Sequence, residues 1–388
     1  MSVNHNASAL ELIIQQRIDE AGGWIPFDIF MQSALYEPGL GYYESSNVFG
    51  EDGDFVTGAD MGPWLALGFA DLIEWGWREL GSPIEWTLVE QGGGTGRLLS
   101  AVISTLKDRG LTPTRVVAID ASSDMRCRQK ALYSDQQLDV DSFSSLEDAG
   151  ELDNCLMFCN ELPDAFPVRC FSWKGGHAYE RGVAHSNGSF CWQDATMKMS
   201  VPLEIDPETT SEWPDGYVSD WNPNLKGWQE KVSKMIRCGF LFCVDYGYSQ
   251  QEYYRAQRIE GTLLGHRGHQ VIEDVLQQPG SCDITAHIDF TSLRRIGDTV
   301  GLSPCSFMSQ GAWLAQSPSV QRKIEQLAAN GSVESVQELA HAKRMLMPFG
   351  MGETFKLLIQ SCHHKQSAPG YLSHFDRMRD LRGARGVA

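Results

Sequence analysis

The sequence predicts an α/β fold in which helices cover both faces of a central, mostly parallel β-sheet. From residue 83 onward, short apolar segments alternate with segments of helical periodicity, which is typical of strands joined by crossover helices. The clearest strands are predicted at residues 86–89, 116–119, 155–159, 240–244 and 355–359. A glycine-rich turn follows the first strand directly and opens an amphipathic helix at 98–107, which supports the same order of elements.

A helical cap is predicted ahead of the sheet, over residues 1–82. Apolar residues recur at helical spacing over 10–18, over 27–35 and again over 64–80. Residues 36–62 are rich in glycine, aromatic and acidic residues and lack a clear period. Long irregular segments inside compact domains usually carry function. We therefore expect this segment to form a loop that lines a cleft.

Two insertions interrupt the predicted core, which spans residues 83–249 and includes a weakly marked strand near Leu138. A hairpin joined across a Lys-Gly-Gly turn is expected at 168–183, on the edge of the sheet. Residues 250–347 show no clear strand alternation, and we expect a mainly helical lobe over the strand ends. Residues 348–388 supply the last core strand and a basic tail, which we interpret as a solvated tail, with a binding arm as the alternative.

The composition is that of a globular protein with an acidic surface. Hydrophobic residues make up 42% of the 388 residues, and the formal net charge is −18. This charge repels phosphates, so no nucleic-acid partner is expected. No apolar run approaches the ~18 residues needed for a membrane span. Because the N-terminus also lacks the features of a secretory or mitochondrial leader, we expect a cytoplasmic location.

The ten cysteines are scattered along the chain. The closest pairs, Cys155 with Cys159 and Cys238 with Cys243, do not match the usual spacings of zinc ligands. We interpret the cysteines as reduced thiols, and no metal site is predicted.

The glycine-rich turn contains Glu90 followed by alternate glycines, Gly92, Gly94 and Gly96. Such glycines let the backbone turn sharply and approach a ligand, and the helix beyond them offers free amides. A dinucleotide-binding turn needs a further glycine where Arg97 stands, so that fingerprint is absent. An acid followed by three alternate glycines is instead the usual first motif of methyltransferases, in which Glu90 can accept hydrogen bonds from the turn or from a methionine ammonium group.

A second acid, Asp120, directly follows the predicted strand 116–119. It lies about 24 residues past the turn, near the ~20 expected for a carboxylate that binds ribose hydroxyls. A helix cap is the alternative, although Ser122 and Ser123 could also serve as caps. We expect Asp120 and the following Ala121 to contact the cofactor, S-adenosyl-L-methionine.

Further motifs follow in order along nearly the whole chain. They are Leu35-Tyr36-x-Pro38-x-x-Gly41-Tyr42-Tyr43, Phe49-Gly50-x-x-Gly53-Asp54-Phe55-x-Thr57, Asn160-Glu161-Leu162-x-Asp164-Ala165, Tyr179-Glu180-Arg181, Asp245-Tyr246-Gly247, Asp283-Ile284-Thr285-Ala286-His287-Ile288-Asp289-Phe290 and Gly352-Glu353-x-Phe355-Lys356. With these motifs the chain resembles the class I S-adenosylmethionine-dependent methyltransferases of the MidA/NDUFAF7 type. The resemblance implies a Rossmann-like class I methyltransferase sheet of seven strands.

The resemblance also implies an acceptor, which for the mitochondrial members is an arginine of a respiratory complex I subunit. Such enzymes place acids just past the fourth strand, facing the methyl group, which gives catalytic roles to Glu161 and Asp164 with Asn160 beside them. A capping cluster at a helix start is the alternative for these acids. His287, in the insertion motif, is a further catalytic candidate, with a packed core histidine as its alternative.

Further residues are expected around the same cleft. Ligands of parallel sheets bind at the carboxyl ends of the strands, where the predicted strand 240–244 ends. The candidates for substrate binding are Tyr42, Asp54, Asp245, Tyr246 and Asp289. Thr57 is expected beside the cofactor. Ordinary core packing is the alternative for the tyrosines.

The sequence thus predicts methyl transfer from S-adenosylmethionine to a protein side-chain nitrogen, arginine by analogy. Methylation of a small molecule is one alternative. A second is a non-catalytic assembly factor that binds S-adenosylmethionine and uses its acidic surface as a chaperone platform for a respiratory-type complex. A homodimer is compatible with the sequence.

Overall fold

The computed structural model describes residues 3–44, 61–201, 205, 207–268, 270–363 and 367–382, with side chains from residue 9 onward. Its helices are α1 (Val3–Glu20), α2 (Phe27–Tyr36), α3 (Trp64–Glu79), α4 (Arg97–Lys107), α5 (Ser123–Asp135), α6 (Leu146–Ala149), α7 (Pro207–Ser211), α8 (Asn224–Met235), α9 (Gln250–Tyr253), α10 (Phe290–Val300), α11 (Gln310–Gln316), α12 (Pro318–Asn330) and α13 (Val333–Leu346). Within the described part of the chain, none of the helices is long and apolar enough to cross a membrane.

The strands of the described residues fall into three sheets. They are β1 (Trp24–Pro26), β2 (Thr87–Gln91), β3 (Arg115–Ile119), β4 (Asp141–Phe143), β5 (Cys155–Asn160), β6 (Arg169–Lys174), β7 (His177–Ser186), β8 (Ser189–Met199), β9 (Val218–Trp221), β10 (Gly239–Tyr248), β11 (Leu264–Arg267), β12 (Gln270–Ile272), β13 (Asp283–Thr285), β14 (Ile288–Asp289), β15 (Leu302–Ser309) and β16 (Phe355–Cys362). Short 3-10 turns lie at Tyr42–Glu44, Pro163–Ala165, Gly370–Phe375 and Met378–Leu381.

The central sheet has the strand order β15-β16-β10-β5-β2-β3-β4. Only β16 runs antiparallel to its neighbours along this path, and the short β14 adds to the end of β10. These seven strands confirm the predicted seven-stranded sheet, to which β14 adds a short eighth strand, and β4 is the strand that was expected near Leu138.

Helices cover both faces of this sheet. The side chains of residues 155–159 in β5 are all fully buried, as expected for a central parallel strand that is covered on both sides. Leu156 and Phe158 pack in the cluster that contains α3 and α4, whereas Met157 and Cys159 pack with α8 and α10. Burial of such large apolar side chains contributes about 1.5 to 3 kcal/mol each.

The strand order reverses between β2 and β5, because β2 continues to β3 on one side and its other neighbour, β5, comes later in the chain. Ligands of open α/β sheets bind in the crevice outside the carboxyl ends of the strands at such a reversal. The turn after Gln91, the loops after Ile119 and Asn160, and the end of β10 all reach this edge.

The predicted hairpin is present as β6 and β7, but its placement on the edge of the core sheet is wrong. The two strands belong to a separate antiparallel sheet with β1, β8 and β9. The apolar face of β7 packs against α1 and α2. A strand of the N-terminal cap, β1, therefore completes this sheet. The sequence pattern of the hairpin alone could not predict this pairing.

Residues 250–347, expected to form a mainly helical lobe, contain strands as well as helices. β11, β12 and β13 form a small antiparallel sheet, and β15 is the edge strand of the central sheet. Proline and small polar residues interrupt the apolar alternation of β15, and its pairing shifts register between Pro304 and Ser306. The helices α10 to α13 account for most of the remaining segment.

Candidate functional site

The turn after β2 has the backbone that its glycines suggest. Gly92, Gly94 and Gly96 have φ angles of 72°, 51° and 81°, in the left-handed region that side chains other than glycine rarely adopt. The Gly92 amide donates to Ile119 at 2.9 Å, and Gly96 is the residue that precedes the first turn of α4. The turn therefore bridges β2, β3 and the start of α4.

Glu90 lies beneath this turn and is only 2% exposed. Burial and the nearby charge of Asp120 raise the pKa of Glu90 to about 8, while the Leu99 amide donates to its carboxylate and lowers it. Its Oε2 atom has no hydrogen-bond partner among the described residues. A Cβ at position 93 would lie 2.2 Å from this oxygen. The space between turn and carboxylate thus depends on glycine at that position.

Asp120 follows β3 on the same edge. Its Oδ1 accepts from the Ser122 amide at 3.0 Å, and its Oδ2 accepts from Gln129 Nε2 at 3.1 Å. Burial raises the pKa of Asp120 to about 6, against these hydrogen bonds. Ser122, not Asp120, caps α5 by accepting from the Met125 amide. The cap alternative for Asp120 is therefore wrong, and Ala121 lies exposed beside it.

Two residues of α5 that no sequence motif indicated also contact the turn. Gln129 Nε2 donates to the Gly94 carbonyl at 3.0 Å as well as to Asp120. Tyr133, one helical turn further on, places its hydroxyl 2.6 Å from the position of a Cβ at Gly96. α5 therefore packs against the turn and supports it.

The loop after β5 lies next to the glycine turn, because a Cβ at Gly92 would be 2.7 Å from Leu162 Cδ1. Glu161 has a φ of 52°, a conformation that costs a residue other than glycine about 1 to 3 kcal/mol and is enriched at functional sites. Asn160 Nδ2 donates to Glu161 Oε1 at 3.0 Å, and the Glu161 amide donates to Val244. This acid is thus held beside the turn by its neighbours.

Asp164 is buried in the same loop, only 4% exposed. Burial and the charge of Asp283 raise its pKa well above the ordinary value, against a hydrogen bond from the Tyr246 hydroxyl. Its Oδ1 has no partner among the described residues. Asp164 therefore offers one acceptor oxygen in a nearly dry environment.

Asp245 at the end of β10 is fully buried and binds backbone. Its two oxygens accept from the amides of Asp164 at 3.1 Å and Tyr246 at 2.8 Å. The structure therefore places Asp245 as a support for the Asp164 loop, not as a surface that a substrate could contact, while Tyr246 reaches the Asp164 carboxylate directly.

The N-terminal cap contributes Tyr43 to this cluster. Its hydroxyl donates to Asp283 Oδ1 at 2.7 Å, and its carbonyl accepts from Ser122 Oγ at 3.2 Å. Tyr42 is buried in the apolar cluster of the cap and stacks edge-on against Tyr43. Core packing thus accounts for Tyr42, whereas Tyr43 links the loop after β3 to the insertion.

His287 lies between two aromatic rings, stacked on Tyr248 and edge-on to Tyr246. Its amide donates to Thr262 Oγ1 at 3.1 Å, and its Nδ1 lies 3.4 Å from the Thr262 carbonyl. Burial lowers its pKa to about 4, so the ring is neutral at physiological pH. The Arg258 guanidinium lies over the Tyr248 ring, 4.1 Å from the ring centre.

The prediction of Asp289 as a substrate-binding residue is wrong. Asp289 is buried and caps α10, because its carboxylate accepts from the amides of Thr291 and Ser292 and from the Ser292 hydroxyl. Asp54 and Thr57 lie outside the described residues.

A family model described as S-adenosyl-L-methionine-dependent methyltransferase matches residues 70–308. The mitochondrial protein arginine methyltransferase NDUFAF7 homolog of Drosophila melanogaster is 27% identical over 371 residues, which cover 87% of this chain and 81% of the fly protein. The mitochondrial protein arginine methyltransferase NDUFAF7 of Danio rerio is 26% identical over 387 residues, with 87% and 83% covered. A crystal structure of a candidate methyl transferase from Burkholderia thailandensis, bound to S-adenosyl-homocysteine, superposes with a TM-score of 0.86 at 26% identity and covers 97% of this chain and 98% of that one.

An α/β sheet with a glycine turn and acids at its strand reversal defines a protein that binds a nucleoside-type cofactor. The chain belongs to the family of S-adenosyl-L-methionine-dependent methyltransferases, whose model covers more than half of it. The resemblance found in the sequence is thereby confirmed, and S-adenosyl-L-methionine is the cofactor.

The residues at the turn fit this cofactor. Its ammonium group and ribose hydroxyls are hydrogen-bond donors, and the carboxylates of Glu90 and Asp120 are acceptors on either side of the turn. The buried, unpartnered Oε2 of Glu90 is the strongest sign of fit, because such an oxygen is costly without a donor. The left-handed glycines leave the backbone open to close approach.

Proposed function

We propose that the protein methylates an arginine side chain of a protein acceptor, with Glu90 and Asp120 binding the methionine and ribose ends of the cofactor. When bound, S-adenosyl-L-methionine supplies the methyl group on a sulfonium sulfur. The names of the fly and zebrafish relatives support arginine as the acceptor of this chain.

The buried carboxylate of Asp164 carries this proposal. Its buried Oδ1 lacks a donor among the described residues, and its environment disfavours the charged carboxylate. A guanidinium presents five N–H donors and a permanent positive charge, which would satisfy the oxygen and compensate the charge. With a neutral acceptor the buried Asp164 would stay protonated and would lack the charge that orients the acceptor.

Methyl transfer to the acceptor depends on how the guanidinium is oriented. A guanidinium is a poor nucleophile because its pKa exceeds 12 and its electrons are delocalised. Glu161 and Asp164 sit on one loop beside the glycine turn, so they can hold the guanidinium with one nitrogen aimed along the line of methyl transfer. Such positioning supplies much of the rate of a group transfer.

The test uses the full-length protein, tritiated S-adenosylmethionine and lysate of its own source. Wild type should label a protein band, and acid hydrolysis should release methylated arginine. Asp164→Asn should keep S-adenosylhomocysteine binding and lose the label, whereas Asp135→Asn, on the exposed end of α5, should label as wild type does.

Two outcomes would contradict the arginine proposal. Label recovered in a small molecule would support small-molecule methylation. Cofactor binding without transfer to any component would support the non-catalytic assembly factor. The cytoplasmic location, the homodimer and a respiratory complex as partner stay predictions from the sequence.

A further inference from the structure

Gln129 joins two parts of the cofactor site through a single amide group. It is 1% exposed, on the inner face of α5. Its Nε2 donates to the Gly94 carbonyl at 3.0 Å and to Asp120 Oδ2 at 3.1 Å. Both partners are acceptors, so the nitrogen must face them, and its two hydrogens are both used.

The two acceptors lie in the loops that follow two different strands. Gly94 follows β2, and Asp120 follows β3. The Asp120 carboxylate accepts from the Ser122 amide, from Gln129 and from the Gly94 amide, so the glycine turn also contacts it directly. Gln129 is the side chain that binds both the Gly94 carbonyl and this carboxylate, and it therefore helps to fix the separation and orientation of the two.

We propose that Gln129 is a positioning residue for the cofactor, which holds the Asp120 carboxylate ionised and aimed at the ribose while it fixes the glycine turn. The proposal rests on the ribose-binding role of Asp120 under the proposed function. Gln129 itself need not touch the cofactor.

Charges around Asp120 make this support necessary. Glu90 on β2 faces Asp120, and the charge of Asp120 raises the pKa of Tyr36 of α2 and of Tyr133 of α5. Arg126 of α5 is the cation that lowers the Asp120 pKa, by charge alone, since its guanidinium hydrogen-bonds the Asp120 and Ala121 carbonyls. Against burial, the amide of Gln129 is one of the few groups that favour the ionised carboxylate.

The experiment measures S-adenosylhomocysteine affinity by calorimetry from pH 5 to pH 9. Wild-type affinity should fall in two steps as the pH drops, first through about 8, where Glu90 gains a proton, and then through about 6, where Asp120 does; the second step reports on Gln129. Gln129→Met keeps the length of the side chain and removes the donor, so this second fall should move to higher pH by about one pH unit, equivalent to about threefold weaker binding near pH 6.5 and about tenfold near pH 5. At pH 9 Asp120 is ionised in both proteins, so only the smaller loss that comes from the altered position of the turn and carboxylate should remain.

Lys130→Met, on the exposed face of the same helix, is the matched control and should follow the wild-type curve. A Gln129→Met protein that loses affinity equally at every pH, with a lower melting temperature, would show a packing role and overturn the proposal. A variant with the wild-type curve would also overturn it. Loss of methyl transfer to arginine with this pH curve intact would concern the acceptor alone, so the two proposals fail separately.

Discussion

Glu90 gives the sharpest prediction, because its buried charge should help cofactor binding and harm stability at the same time. In the free protein, burial and the charge of Asp120 raise its pKa from 4.5 to about 8. A carboxyl with a raised pKa stabilises the fold only while it is protonated. Its contribution is complete below pH 4.5 and is lost as the pH rises through about 8.

Glu90→Gln removes this charge and keeps the shape. The amide oxygen can still accept from Leu99, and the amide nitrogen takes the place of the unpartnered Oε2. At about 1.4 kcal/mol for each tenfold change in the ionisation constant, the raised pKa sets a ceiling of about 5 kcal/mol on the gain at pH 9. Because buried sites relax and admit water, we expect about 2 to 3 kcal/mol. For a chain of this size that is about 2 to 4 °C in melting temperature.

The assay is thermal unfolding of the free protein at pH 5 and pH 9, with calorimetric titration of S-adenosylmethionine. Glu90→Gln should melt higher than wild type at pH 9, differ little at pH 5, and bind the cofactor at least tenfold more weakly, through loss of a charged hydrogen bond of about 1.5 to 3 kcal/mol. Glu325→Gln, a substitution at an exposed position on α12, should change neither the melting temperature nor the cofactor affinity. A variant that melts lower at pH 9 would refute the account of the buried charge, and a stabilised variant with full cofactor affinity would remove Glu90 from the site.

Two further variants separate binding from catalysis. Asp120→Ala should weaken cofactor binding by about 1.5 to 3 kcal/mol, measured by calorimetry, because the carboxylate is lost; unchanged affinity with reduced thermal stability would leave Asp120 a structural role only. Glu161→Gln should keep cofactor affinity and slow methyl transfer by about 10² to 10³, as measured with tritiated donor, because a preorganised charge is removed; a wild-type rate would exclude Glu161 from the acceptor site.

The strands and the residues at their carboxyl ends were predictable because each motif is local. A buried strand, a glycine turn and the helix after it can be found within about fifteen residues, and parallel topology then brings the strand ends together. For this reason Glu90, Asp120 and Glu161 all lie at the edge where the sequence places them.

Residues whose role depends on packing between distant segments could not be found in this way. α5 has no clear apolar stripe, so nothing in its sequence distinguishes Gln129 or Tyr133 from solvent-facing residues. The pairing of β1 with β7 likewise joins segments far apart in the chain. Asp289 was predicted to bind substrate because it lies in a motif, whereas the structure makes it the N-cap of α10.

The central claim is that the turn after β2 holds S-adenosylmethionine, and calorimetric titration of wild type and Gly94→Val tests it most directly. Wild type should bind S-adenosylmethionine and S-adenosylhomocysteine and should not bind NAD. Gly94 has a φ of 51°, so valine would strain the turn and place a branched side chain where backbone meets ligand. The variant should therefore lose both ligands. Wild type that binds NAD but not S-adenosylmethionine, or a Gly94→Val protein with full affinity, would contradict the claim.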